Sequence, residues 1–309
     1  MNPLVKILCY LGAVVLSACL LSPPVYWGFQ WLIHHGWFSG LAGFPFHRYF
    51  SRLIQIAALV YAWPFIRWLN VRTLSELGIL KNSRRGADFL AGFGIGFLPM
   101  AILAVVYLSL DIYHFRNGFA GGTLFRIAIT AIVVAMMEEL FFRGILLGLA
   151  LRITNRMTAI LGVSIIFGLV HFLKPAKGDT LPEVVTWMSG FHQAGTAFSS
   201  LTINPGLVLG GMATLVVAGV LLGFCTVATK SLWLAIGVHA SWIFGQQTLN
   251  LIARYRIKPT DALLPWVGPS QVSNAVPIGI WAVAALGITG LCLWGYLHER
   301  SRRITSAAA

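Results

Sequence analysis

The chain of 309 residues is 58% hydrophobic and only 10% charged, with a mean hydropathy of +0.80. Soluble domains carry roughly 25% charge, and nine carboxylates cannot keep such a surface wet, so a water-soluble globular fold is excluded. The net charge of +13 would suggest nucleic acid in a soluble protein, but no basic amphipathic or aromatic–basic module is present, and nucleic acid is not expected as a partner. The Lys and Arg residues lie mostly between apolar runs, as at Lys81, Arg84 and Arg85 or Arg300, Arg302 and Arg303, where short basic clusters face anionic lipid headgroups.

A helix crossing a hydrocarbon core of about 30 Å needs roughly 20 apolar residues. In chain order such runs cover residues 4–33, interrupted by Ser22-Pro23-Pro24, then 50–69, 89–110 and 124–151. A short run follows at 158–172, then 207–229, 232–252 and 276–297. Their continuity fits helices rather than barrel strands of about ten alternating residues. The expected fold is therefore all-α, a polytopic transmembrane bundle of about eight spans. It divides into N-terminal helices (1–70), a core (71–255) and a C-terminal helix with a basic tail (256–309). Charge between the runs places both termini in the cytoplasm. Residues 174–205, with Lys174, Lys177, Asp179, Glu183, His192 and Gln193, are too polar to span; a surface or re-entrant helix and a plain loop both fit.

Leu16-Ser17-Ala18-Cys19 imitates a bacterial lipoprotein cleavage site, but apolar character resumes through Leu20 and Leu21, which favours an uncleaved first helix. Cys9, Cys19, Cys225 and Cys292 show no metal or disulfide spacing and read as small hydrophobes.

A charge at mid-span costs at least about 2.5–3.5 kcal/mol, so such residues are functional candidates. The fourth run carries Glu138, Glu139 and Arg143. Glu139 and Arg143 are i, i+4 and share a helix face, whereas Glu138 lies about 100° round the helix with no such partner. Two further runs each bring one histidine, His171 and His239. At 1.5 Å per residue, Glu138 lies about 18–20 Å in, His171 about 20 Å and His239 about 10–12 Å, so one shared cavity is feasible. A carboxylate and two imidazoles there could activate a water by base catalysis, or bind a divalent metal such as zinc that does so. Neither H-E-x-x-H nor G-x-S-x-G occurs.

Glu138-Glu139-x-x-x-Arg143, Phe167-x-x-x-His171 and the late His239 together resemble the CPBP family, the CAAX-protease and bacteriocin-processing type of intramembrane protease. The likeness covers roughly residues 70–250, including the turn Glu76-Leu77-Gly78-Ile79. It implies an endopeptidase acting on a membrane-embedded or hydrophobic peptide in the lipid bilayer; the lipobox-like N-terminus and short loops suggest a multi-pass protein of a bacterial inner membrane. It implies Glu138 as the catalytic glutamate, His171 as its partner on a water, Glu139 and Arg143 as a supporting pair, and His239 as an oxyanion stabiliser. A metal-free glutamate mechanism is favoured; if a metal binds, its ligands are Glu138, His171 and His239. Many members carry Asn or Asp four residues after the late histidine, where this chain has Ile243. Gln246, on the same face as His239 and about 10 Å deeper, is a candidate substitute, with Ser241 and Gln247 behind it. The alternatives are a non-catalytic scaffold or immunity protein of the same fold, and a transporter using Glu138 and His171 as a proton relay; the transporter is disfavoured by the lack of inverted repeats.

Overall fold

The structure, a computed structural model, describes residues 3–77, 80–116, 118, 121–172, 184–203, 205–256, 266–267 and 279–308. Lys174, Lys177, Asp179, Glu183, Gly78 and Ile79 lie outside the described residues. In chain order the elements are α1 (Pro3–His34), α2 (Phe46–Trp68), α3 (Arg85–Ser109), β1 (Tyr113–Phe115) and α4 (Gly122–Glu139). A π-helical segment (Leu140–Leu146) follows, then α5 (Leu147–Ile153), α6 (Arg156–Phe172), α7 (Ser189–Ile203), α8 (Pro205–Thr229), α9 (Trp233–Ile252), β2 (Ala253–Tyr255) and α10 (Ile280–Ala308). The chain forms two compact units, Met1–Arg72 with Phe172–Pro205, and Thr73–His171 with Gly206–Ala309.

In the first unit, α1 and α2 are joined along their length. Lys6 Nζ donates to the Trp68 carbonyl (2.6 Å), Tyr10 OH to the Ala58 carbonyl (2.7 Å), and Ser17 Oγ meets Tyr61 OH (2.7 Å). The expected break at Pro23-Pro24 is absent: α1 runs through both prolines. Proline lacks an N–H, so the carbonyls four residues back, at Cys19 and Leu20, lose their helical donors. Gly190 of α7 closes directly over the Cys19 carbonyl, leaving no room for a Cβ. Part of the polar segment 174–205 is thus the helix α7, packed on α1.

In the second unit small residues bring helices together. Gly92 of α3 backs onto the Leu234 carbonyl of α9, and Gly237 of α9 onto the Phe89 carbonyl of α3, a parallel pair with no space for side chains. Between α6 and α8, Ser164 meets Gly219, Ile160 meets Gly223 and Gly168 meets Met212, an antiparallel register. Strands β1 and β2 pair antiparallel, Tyr113 opposite Tyr255, and so tie the lead-in to α4 to the exit from α9. The fourth apolar run is one span in the sequence reading but three helical pieces here, because the chain widens to a π-helix immediately after Glu139.

Among the described residues, five helices are long and apolar enough to cross a membrane, namely α1, α2, α3, α8 and α10, with α6 a shorter apolar helix. Their outer faces present Leu90, Val105, Leu209, Leu291 and Trp294 at 65–72% exposure, a surface suited to lipid and not to water. The protein is an all-α, multi-pass membrane protein. All four cysteines are free.

Candidate active site

Glu138 and Glu139 end α4, and the π-helix that follows carries Arg143. Helices rarely widen to i→i+5 bonding, and where they do a functional site is often close. Glu139 is fully buried, and its Oε1 accepts from Arg143 Nη1 (2.8 Å) and lies 2.7 Å from His239 Nδ1. Arg143 is 1% exposed and reaches three helices. Besides Glu139, its Nη2 donates to the Gly219 carbonyl of α8 (3.4 Å), and its guanidinium lies over the Phe167 ring of α6 at 4.4 Å. The close approach at Gly219 that brings α6 to α8 is therefore also what seats the arginine. One buried cation thus compensates one buried anion; both contacts of Glu139 fall on Oε1, and its Oε2 is buried without a hydrogen-bond partner.

Glu138 faces the other way round the helix and is partly open, with 30% of its side chain exposed. Its Oε2 is buried, without a hydrogen-bond partner, and lies 3.7 Å from His239 Nε2 and 3.9 Å from His171 Nε2. Each imidazole is oriented through its other nitrogen: His171 Nδ1 lies 2.8 Å from the Phe167 carbonyl, and His239 Nδ1 contacts Glu139. A carbonyl only accepts, so His171 Nδ1 carries the proton and, in the neutral ring, Nε2 presents its lone pair towards Glu138. The Phe167 ring packs against both imidazoles, with centroids 4.6 Å from His171 and 5.8 Å from His239.

The structure therefore brings Glu138, Glu139, Arg143, His171 and His239 into one cluster. Gln246 goes elsewhere: it is buried, but its Nε2 lies 3.4 Å from both Tyr113 OH and Asn250 Oδ1. Burial pushes the Tyr113 phenol up to about 12, against a smaller downward pull from Gln246, so it stays protonated in that packing contact. Ser241 Oγ bonds to the Val238 carbonyl of its own helix. Ile243 is half-buried and packs with Ala135, Ile236 and Ala240.

Sequence reasoning missed three things: the Glu139–His239 contact, the Phe167 ring and the Gly219 carbonyl. Phe167 stands four residues before His171, one turn away, and Gly219 and Gly223 have helix-contact spacing, so both signals were present. The contact between Glu139 and a residue 100 positions away left no local trace.

Gaps of 3.7 and 3.9 Å exceed a direct hydrogen bond but are too short for a water in line; one small polar molecule bonded to both groups would sit beside the line between them. Tetrahedral zinc with bonds of about 2.1 Å holds neighbouring donors about 3.4 Å apart, closer than these. Among the described residues no group of three His, Cys, Asp or Glu closes around a metal position. The donor types suit a metal, which Glu138, His171 and His239 would hold; in this structure the donors stand slightly wider apart than bound zinc would draw them.

Residues 120–245 match the family model described as Type II CAAX prenyl endopeptidase Rce1-like. No curated protein and no solved structure matches the chain. The matched stretch runs from the start of α4 into α9 and contains all five clustered residues, with Gln246 one position beyond it. With this match laid over that cluster, in a chain of apolar helices, residues 120–245 are similar to the CPBP family of intramembrane proteases.

Proposed function

We propose that the chain is an intramembrane endopeptidase that hydrolyses a peptide bond in a membrane-associated, hydrophobic substrate with a water activated by Glu138 and His171. The observation that carries this is the unpartnered, buried Glu138 Oε2 facing two imidazole Nε2 atoms, each ring held by its far nitrogen. A water bonded to Glu138 and His171 gives up a proton to the Glu138 carboxylate as its oxygen attacks the scissile carbonyl carbon. The same proton then passes to the leaving amine as the C–N bond breaks. His239, when doubly protonated, offers Nε2–H to the oxyanion while Glu139 balances its charge. Arg143 and Phe167 touch no substrate; they position Glu139 and the two rings.

The test is cleavage of a hydrophobic peptide library by the full-length protein in nanodiscs. We expect chelator-resistant cleavage that falls about 10²–10⁴-fold in Glu138→Gln, the usual contribution of a general base. Cleavage abolished by chelator would instead put Glu138, His171 and His239 around a metal. A second reading is favoured by Ile243, which fills the place of an oxyanion donor with an apolar side chain. A well-folded protein that cleaves nothing across the library would make this chain a non-catalytic scaffold of the same fold.

A further inference from the structure

At the start of α3 the chain is bound to the α8–α9 turn and to the end of α10. The Leu80 N–H donates to the Lys230 carbonyl (2.8 Å), and Asn82 Nδ2 donates to Ser231 Oγ (3.0 Å) and Asp88 Oδ2 (2.7 Å). Tyr296 OH donates to Asp88 Oδ1 (2.7 Å) and Arg300 Nη2 to Asp88 Oδ2 (3.1 Å). Three apolar helices, α3, α8 and α10, therefore end at one level. Asp88 is fully buried and both its oxygens are taken, so its charge is spent on Arg300. Around this knot stand Lys81, Arg84, Arg85, Lys230 and Arg302, of which only Arg84 is half-buried. None of the five shares an ion pair with a carboxylate among the described residues. At the other end of the same unit Asp111 pairs with both Arg256 and His114, while Arg126 and Arg254 stand exposed.

Unmatched cations packed where three membrane helices end are a site for a phosphate group at the depth of lipid headgroups. We propose that this end of the second unit binds an anionic phospholipid, whose headgroup phosphate is held by Lys81 and Lys230 with Arg84 and Arg302 alongside. The backbone bond between Leu80 and Lys230 keeps the two lysines side by side, so a single phosphate can reach both. The bound lipid would fasten α3, the α8–α9 turn and α10 together from the membrane side, adding to the Asp88 knot beneath.

The test is native mass spectrometry of the detergent-purified full chain, titrated separately with phosphatidylglycerol, phosphatidylcholine and inorganic phosphate. We expect phosphatidylglycerol to bind in preference to phosphatidylcholine, and Lys81→Gln/Lys230→Gln to weaken it about thirtyfold, the order expected for two juxtamembrane cations. The charge-matched control Arg126→Gln/Arg254→Gln, exposed cations elsewhere on the unit, should bind as wild type. Equal weakening in the control would overturn the proposal in favour of bulk charge. Unchanged binding in the lysine pair would overturn it outright. Competition by inorganic phosphate at similar concentration would show a site for free anions and not for lipid.

Discussion

In the proposed mechanism, Ile243 is the residue on which catalytic competence turns. His239 alone offers an oxyanion one donor, and removing a single such donor from an enzyme typically costs 10²–10³ in rate. Ile243→Asn puts an amide one turn from His239, and cleavage should rise by about tenfold or more, read as initial rates on a fluorogenic hydrophobic peptide. The substitution also sets a polar group among Ala135, Ile236 and Ala240, so the protein should lose about 1–3 kcal/mol in thermal unfolding. A gain in rate alongside that loss separates a functional effect from a packing one; no gain means that the oxyanion is not held on this face. The residue types of the site were legible because ionisable groups are rare in apolar runs and stand out. Their pairing was only half legible. Glu139 with Arg143 follows from helix periodicity, but His239 on the same Glu139 oxygen requires α9 to pack on α4, which no local pattern encodes.

At the scale of the element, the site depends on how closely α6 and α8 approach. His171 and Phe167 ride on α6, and Gly219 of α8 gives Arg143 a carbonyl. A Cβ at Gly219 would lie 2.8 Å from Ser164 Cβ and 3.0 Å from its Cα, so the helices must part. Gly219→Ala should cost about 1–3 kcal/mol and lower kcat more than KM, since it shifts His171 and Phe167 against Glu138. Gly162→Ala, on the same helix α6 with open space around it, should leave both unchanged or gain slightly from helix propensity. Equal effects from the two would show that α6 does not set the site. Helix positions were readable from apolar runs, with two exceptions. The π-helix was hidden because Leu140–Leu146, with Gly144 as its one weak helix former, reads as a continuation of the apolar helical run, and the widening there coincides with the buried Glu139–Arg143 pair. The continuity of α1 was hidden because the partner at Cys19 is Gly190, far along the chain.

At the scale of the molecule, the matched stretch of residues 120–245 does not contain all that holds the site. Helix α9, which carries His239, packs along α3, and α3 is held by α10 through Asp88, Tyr296 and Arg300; α3 and α10 both lie outside that stretch. With Asp88 fully buried and Arg300 only 11% exposed, the pair behaves as a buried salt bridge. Removing one partner strands a charge and costs about 3–5 kcal/mol, while replacing both with apolar groups of similar volume is often neutral. Arg300→Met should therefore lower the unfolding temperature sharply, and Asp88→Leu/Arg300→Met should restore part of it, since Asn82 and Tyr296 also lose their acceptor; both are read by thermal unfolding in detergent. Peptide cleavage should follow the same order, falling in the single variant and recovering in the double, because the pair touches no reacting atom and acts through the seat of α9. A double variant that is stable yet still slow would give Asp88 a part in setting His239 beyond holding the helices together. A single variant as stable as wild type would mean that water reaches Asp88 and that α10 is dispensable to the unit.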